Sequence, residues 1–392
     1  MSDLRTAHCD TVADDQLIHF NNAGASLMPE SVLSTQIEYL KLEARLGGYE
    51  AAKDQAQAIA AIYTSVAALI NAEAEEIALV ENATVGWTSA FQSIDFKPGD
   101  KILTAQCEYG SNYMSYLQLK RRVDVQIEVI PSAPSGEICL AALEAMIDEK
   151  VKLISVTHIP TNGGLVNPIC EIGDIAKRHG ILYLVDACQT AGQLPIDVQR
   201  IGCDFLAATG RKYLRGPRGS GFLYVRKALI ETLQPPLVDV RSAIWQSPQH
   251  YTLREDAKRF ENWENNYAAL LGLGRAVDYA LDIGLQRIAD INADLATQLR
   301  RQLAEIEGVT VWDIGEQQCA ITSFSVVGFA SSTLVEQLHT RQINVSCSRP
   351  GSTLLDATAR KLPDLVRASV HYFNTPAQIT RFCAELRQLI GR

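Results

Sequence analysis

Between residues 76 and 225 the sequence repeats one pattern: a short run of almost wholly apolar residues, a polar or helical stretch, then another such run. The runs fall at 76–80, 101–104, 125–130, 152–157, 182–185, 205–208 and 221–225, and helical periodicity occupies 85–94, 140–147 and 170–178 between them. Strands apolar at every position must be covered on both faces, and strands separated by helices are joined by crossovers that make neighbours parallel. The pattern therefore predicts an α/β fold with a mainly parallel seven-stranded sheet covered by helices. Right-handed crossovers gather the carboxyl ends of the parallel strands along one edge, where ligands bind.

Ahead of the sheet, residues 29–67 read as helical, with Ile59, Ile62, Tyr63, Val66 and Ile70 recurring three to four residues apart. Beyond Asn266 a long helical stretch leads into runs at 309–312 and 320–327, a helix at 332–340, strands at 343–346 and 366–371, and a last helix at 376–390. The expected division is a large domain over 29–265 and a smaller C-terminal α+β domain over 266–392.

Composition removes several functions. With 36 Lys and Arg against 45 Asp and Glu, the net charge of −9 argues against a nucleic-acid or anionic-membrane partner. The apolar runs stop far short of the roughly 18 residues of a membrane span. The first residues lack the apolar stretch of a signal peptide, and nine scattered cysteines include no Cys-x-x-Cys, so the cytoplasm is the expected compartment. Seven histidines form no ligand spacing, and no metal is expected.

Three segments carry chemistry. Glu81-Asn-Ala-Thr-Val-Gly-Trp87 follows a strand and opens a helix, whose first amides can hold an anion with the Thr84 hydroxyl; helix capping alone also explains Asn82 or Thr84. Asp186 ends an apolar strand, where a carboxylate can pair with a cation or cap a helix. Lys212 lies 26 residues further on, after another strand and before three glycines, as a candidate nucleophile or anion clamp. Neither the dinucleotide fingerprint nor the nucleotide phosphate loop occurs. Together the three supply what pyridoxal phosphate requires: an anion cradle, an acid for the ring nitrogen and an amine for the aldehyde.

These residues, above all Val185-Asp-Ala-Cys-Gln-Thr-Ala-Gly192 and Gly210-Arg-Lys212, resemble the class V aminotransferase family. This is a pyridoxal-phosphate group of fold type I that includes cysteine desulfurases, cystine lyases and isopenicillin epimerases. The resemblance runs from His19-Phe-Asn-Asn-Ala-Gly24 to the stretch 366–375. It implies that Lys212 bonds the cofactor covalently and Asp186 meets its ring nitrogen. Gln189 would reach the phenolic oxygen, with Asn162 near the same edge. Ala83, Thr84, Thr209 and Arg211 would hold the phosphate, and Tyr109 would stack on the ring, where the family has histidine. Arg367 resembles the arginine that grips the substrate carboxylate, with Asn21, Ala23 and Gly24 lining the substrate side. The resemblance further implies that residues 1–28 pack on the small domain and that the chain is a homodimer with active sites near the interface. The partner contact on cofactor phosphate is not expected, because Trp263-Glu264 replaces the family's Gly-Thr.

Within the family the sequence favours β-elimination on a cysteine derivative. A desulfurase needs a mobile cysteine roughly fifteen residues before the carboxylate arginine, and 349–356 contains none. Cys347 is then a strand cysteine or a displaced analogue of that thiol. The run 42–51, Leu-Glu-Ala-Arg-Leu-Gly-Gly-Tyr-Glu-Ala, resembles lyases that cleave a cysteine sulfoxide. Transaminase, epimerase and desulfurase remain the alternatives on this scaffold, with a non-catalytic cofactor carrier as the non-enzyme reading.

Overall fold

The computed structural model describes residues 10–11 and 16–391. Strand β1 (Ile18–His19) stands apart from the central sheet, which comprises β2 (Ile77–Val80), β3 (Lys101–Ala105), β4 (Gln126–Ile130), β5 (Val151–Thr157), β6 (Leu182–Asp186), β7 (Phe205–Thr209) and β8 (Gly221–Val225). The order is β2-β8-β7-β6-β5-β3-β4. Only β8 runs against its neighbours, β2 and β7. The short connection 210–220 explains the reversal, since a parallel return needs a crossover of about a dozen residues or more. The sheet agrees with the sequence pattern.

The covering helices include α1 (Glu30–Leu46), α2 (Gly48–Asp54), α3 (Ala56–Ile70), α4 (Ala83–Gln92), α5 (Gly110–Val123), α6 (Ile169–His179), α7 (Tyr267–Ile283), α8 (Leu285–Ala304) and the last helix, α9 (Pro376–Ile390). In α6 the residues Ile169, Ile172, Ile175 and Ala176 are buried. Lys177, Arg178 and His179 fill its last turn, and Gly180 ends it at φ 64°. Cations at that end complement the helix dipole, and glycine accepts the left-handed cap. The continuous helix expected over 29–67 is broken at Gly47, whose φ of 99° side-chain-bearing residues seldom adopt.

Helix α7 belongs by its packing with the large domain. A Cβ at Gly272 would come within 2.8 Å of the Gln36 side chain, and one at Gly274 within 2.9 Å of Ile62, so both glycines let α7 close on α1 and α3. Leu270, Leu271, Leu273 and Val277 join the core that underlies the main sheet. The start of α8 shares this core, through Ile288, before Leu295 and Leu299 turn to the core of the smaller unit.

A hairpin of β9 (Ala243–Ser247) and β10 (His250–Leu253), not anticipated from the sequence, precedes α7. The small unit carries an antiparallel sheet of β11 (Val309–Val311), β12 (Ile321–Val326), β14 (Ser346–Ser348) and β15 (Leu365–Ser369), in the order β11-β12-β15-β14. The two-residue β13 (Ile343–Asn344) pairs with β1 in parallel. Phe20 enters the same core as Phe324 and Phe382, its ring 5.5 Å from Phe382. Residues 18–22 are thus fastened to the small unit, whereas Asp10, Thr11, Gly24 and Leu27 bond Tyr279, Arg215 and Arg211. Truncating fully buried Phe382 to alanine would cost about 3–5 kcal/mol. Among the described residues no helix is long and apolar enough to cross a membrane.

Candidate active site

The carboxyl edge of the parallel strands frames a cavity of about 190 Å³. Asp186 is the last residue of β6 and Thr209 the last of β7. Asn82, Ala83 and Thr84 follow β2, Tyr109 follows β3, and Thr157, Ile159 and Thr161 come from the end of β5 and beyond it; all line the cavity with Cys188, Gln189, Arg211 and Lys212. Eight of the nine cofactor candidates named from the sequence are therefore assembled on one wall or another.

At one end, Asn82 caps α4, its side chain accepting from Val85 N at 3.1 Å. The amides of Ala83 and Thr84, in the first turn, have no partners within the helix, and its positive end makes them an anion site. A Cβ at Gly221 on the neighbouring strand would come 2.6 Å from Ala208 O and 3.3 Å from Asn82 C, so glycine permits this close approach. Arg211 lies half-buried on the same cavity and donates to the Gly24 carbonyl. Burial, with Arg218 nearby, lowers its pKa. An anion in the cradle would supply the counter-charge.

Asp186 is held from two sides, its Oδ1 accepting from Cys188 N and its Oδ2 from Asn112 Nδ2, both at 2.9 Å. The Lys212 side chain makes no hydrogen bond among the described residues. Desolvation lowers its pKa; the nearby Cys188 and Asp186 oppose that shift, while Arg211 and Arg367 add to it. An amine biased toward its neutral form is suited to attack a carbonyl and to take a proton. Gln189 donates through Nε2 to Ala23 O at 3.1 Å, while its buried Oε1 has no partner.

Arg367, on β15, is buried and makes no ion pair among the described residues. Its Nη1 donates to Thr161 O at 2.9 Å and Thr161 Oγ1 at 2.7 Å, its Nε to Ser346 Oγ at 3.1 Å, and its Nη2 reaches Asn21 Oδ1 only at 3.5 Å. Burial lowers its pKa, but a guanidinium stays charged at neutral pH. A buried cation without a carboxylate partner can take one from a ligand in bidentate fashion. Asn21 thus stands beside this arginine, whereas Ala23 and Gly24 contribute their carbonyls to Gln189 and Arg211. Ala23 also presents its amide to Ser369 Oγ at 2.9 Å.

One residue sits differently from expectation. Asn162 is turned from the cavity: it donates to Thr353 Oγ1 at 3.0 Å and accepts from Ser348 Oγ. Thr161 takes the lining position instead. Cys347 pairs with Val366, and Ser346 with Arg367. Opposed residues of an antiparallel pair share a face and successive ones alternate. The thiol therefore lies on the Val366 face, away from Arg367, and burial raises its pKa. The sequence reading passed over Glu108, Asn112, Thr161 and Cys188. The Cys188 thiol, on the cavity wall, is pushed well above its ordinary value by burial and by Asp186.

The class V aminotransferase family model matches residues 18–382. The chain belongs to this family. The probable cysteine desulfurase of Methanothermobacter thermautotrophicus is 29% identical over 382 residues, covering 95% of each chain. Apo cysteine desulfurase from Thermococcus onnurineus NA1 superposes with a TM-score of 0.93 at 28% identity, over 100% of this chain and 99% of that one. The cystine C-S lyase C-DES, solved with its product cysteine persulfide, gives 0.86 at 25% identity, over 95% and 97%. The protein is a pyridoxal-phosphate-dependent enzyme of the class V aminotransferase family with the type I fold. Its own geometry fits the cofactor: an amide cradle for a phosphate, a carboxylate at a strand end, an unengaged lysine and an orphaned Gln189 oxygen share one cavity.

Proposed function

We propose that the enzyme performs β-elimination on a cysteine derivative, breaking the Cβ–S bond. Bound pyridoxal phosphate supplies an electron sink for the pair left at Cα when its proton departs. In this reading Ala83, Thr84, Thr209 and Arg211 hold the phosphate, Asp186 the ring nitrogen, Gln189 the phenolic edge, and Tyr109 one face of the ring. Arg367 takes the substrate's α-carboxylate through its loosely engaged Nη2, beside Asn21. The Lys212 amine removes the α-proton and, as an ammonium, can return it to the departing sulfur. The thiol leaves with the Cβ–S electron pair, and the three-carbon enamine left behind adds water to give pyruvate and ammonia.

One observation carries the choice among sulfur chemistries. A desulfurase relays sulfur through a thiolate at the substrate, and Cys347 points to the opposite face of its strand, while 349–356 contains no cysteine. The named relatives, desulfurases and a cystine C-S lyase, support chemistry at the sulfur of cysteine or cystine. A product assay on a panel of S-substituted cysteines tests it. Equimolar pyruvate and thiol are expected; a protein persulfide, a keto acid with intact carbon skeleton, or racemised substrate would each overturn it.

We also read the chain as a homodimer. The β9–β10 hairpin exposes Ile244 at 67%, Trp245 at 74% and Tyr251 at 48%, an apolar surface of the kind that marks a protein interface. A second copy is the occupant that the family resemblance supports.

A further inference from the structure

Behind the cavity lies a second carboxylate that the chemistry above does not use. Glu108 is only 3% exposed and has no ion pair among the described residues. Five donors surround it: Thr104 Oγ1 at 3.1 Å, Tyr109 N at 2.8 Å, Asn112 Nδ2 at 2.9 Å, Thr157 N at 3.1 Å, and Thr157 Oγ1 in a short contact. They come from β3, from the start of α5 and from β5. One buried anion thus ties together the strand ends from which the cavity is built.

Two of these bonds lead into the site. The Asn112 amide divides its hydrogens between Glu108 Oε1 and Asp186 Oδ2, each at 2.9 Å. The Tyr109 amide is fixed by Glu108 just where the tyrosine ring enters the cavity wall. Without Glu108, Asn112 could rotate away from Asp186, and Asp186 would keep only its Cys188 bond.

We propose that Glu108 is a positioning residue for the cofactor, holding the ring-nitrogen partner Asp186 through Asn112 and the stacking residue Tyr109 through its amide. Its charge also matters. Among the described residues, Asp186 on β6, Tyr116 on α5 and the adjacent Cys107 are titratable groups that face it, and it makes no ion pair. Burial, reinforced by Asp186, raises its carboxyl to about 7, while Thr157 and Asn112 oppose the rise. Ionisation of Glu108 places a second negative charge behind Asp186, which favours a protonated ring nitrogen. The inference rests on the cofactor site and not on which bond the enzyme breaks, so a failed product assay would leave it standing.

The test uses apoenzyme titrated with pyridoxal phosphate, read by binding affinity and by the bound coenzyme's absorbance from pH 5.5 to 9. Glu108→Gln is expected to weaken binding about tenfold, the scale of one charge-assisted hydrogen bond, and to remove an absorbance inflection near neutrality. Asn112→Ala, which leaves Glu108 its other four donors, is expected to weaken binding in the same direction and shift that inflection. Thr104→Val removes a donor on the side away from the cofactor, so coenzyme affinity should match the parent's, while the inflection moves to higher pH because Glu108 has lost one donor to its charged form. Parent-like affinity and an unchanged absorbance–pH curve in Asn112→Ala and in folded Glu108→Gln would overturn the proposal. If Glu108→Gln does not fold, Asn112→Ala alone decides.

Discussion

Replacing Arg367 with lysine keeps the positive charge and removes the fork. In the parent, three contacts to Thr161 and Ser346 hold the guanidinium plane, leaving Nη2 for an incoming carboxylate. A lysine ammonium has one nitrogen to divide between those acceptors and the substrate, so about one charged hydrogen bond to substrate is lost. Such a bond is worth about 1.5–3 kcal/mol. At about 1.4 kcal/mol per factor of ten, kcat/KM should fall roughly 10- to 100-fold. The assay compares an S-substituted cysteine with the matching cysteamine conjugate, which lacks the carboxylate. Arg367→Lys should lower kcat/KM for the first and leave the second unchanged, erasing the parent's preference by the same factor. A variant that slows both equally, or keeps the parent's preference, would refute the assignment of Arg367 to the carboxylate.

Three further outcomes follow from the geometry. Cys347→Ser should leave kcat/KM for a cysteine S-conjugate within about twofold, because the thiol lies on the far face of β14; a collapse of turnover would restore the desulfurase reading. His158, buried and bonded to Thr190 Oγ1 at 2.9 Å, is lowered to about 3 by desolvation. The unfolded chain therefore binds a proton that the fold refuses, and stability is lost as pH falls from about 6.5 toward 3; denaturant melts of His158→Gln against the parent should show a shallower acid slope in the variant. Trp245→Asp on the exposed hairpin should shift light-scattering mass from dimer toward monomer, and an unchanged mass would remove this face from the interface.

Much of this architecture was legible because it is written in local pattern. A strand such as β6, apolar through Val185 and ending in Asp186, announces both its burial and the edge where its acid emerges. Lys212 and the start of α4 were found the same way, as breaks in pattern at the end of a strand. What escaped was held by contacts distant in sequence. Asn112 meets Asp186 across 74 residues and Glu108 meets Thr157 across 49, and nothing in the local composition marks either pair. The one available signal was a glutamate just before a helix start, which reads equally well as ordinary capping. The hairpin at 243–253 was missed because its apolar residues face outward, so it lacks the buried-strand pattern. The packing of α7 on α1 and α3 escaped for a similar reason: an apolar helix does not name its neighbours, and its two close-packed glycines show them only in the fold.

The pairing of β14 with β15 bears on how readily the chemistry of such a scaffold can diverge. Which face a side chain takes on a strand is a matter of odd or even, so no gradual drift of the backbone carries the Cys347 sulfur to the guanidinium. One inserted or deleted residue ahead of β14 would turn Cys347 onto the Arg367 face, and the single change Ser346→Cys would put a sulfur beside Arg367 without touching the pairing. On this strand, a thiol facing Val366 and a thiol facing the guanidinium are separated by one discrete step in parity.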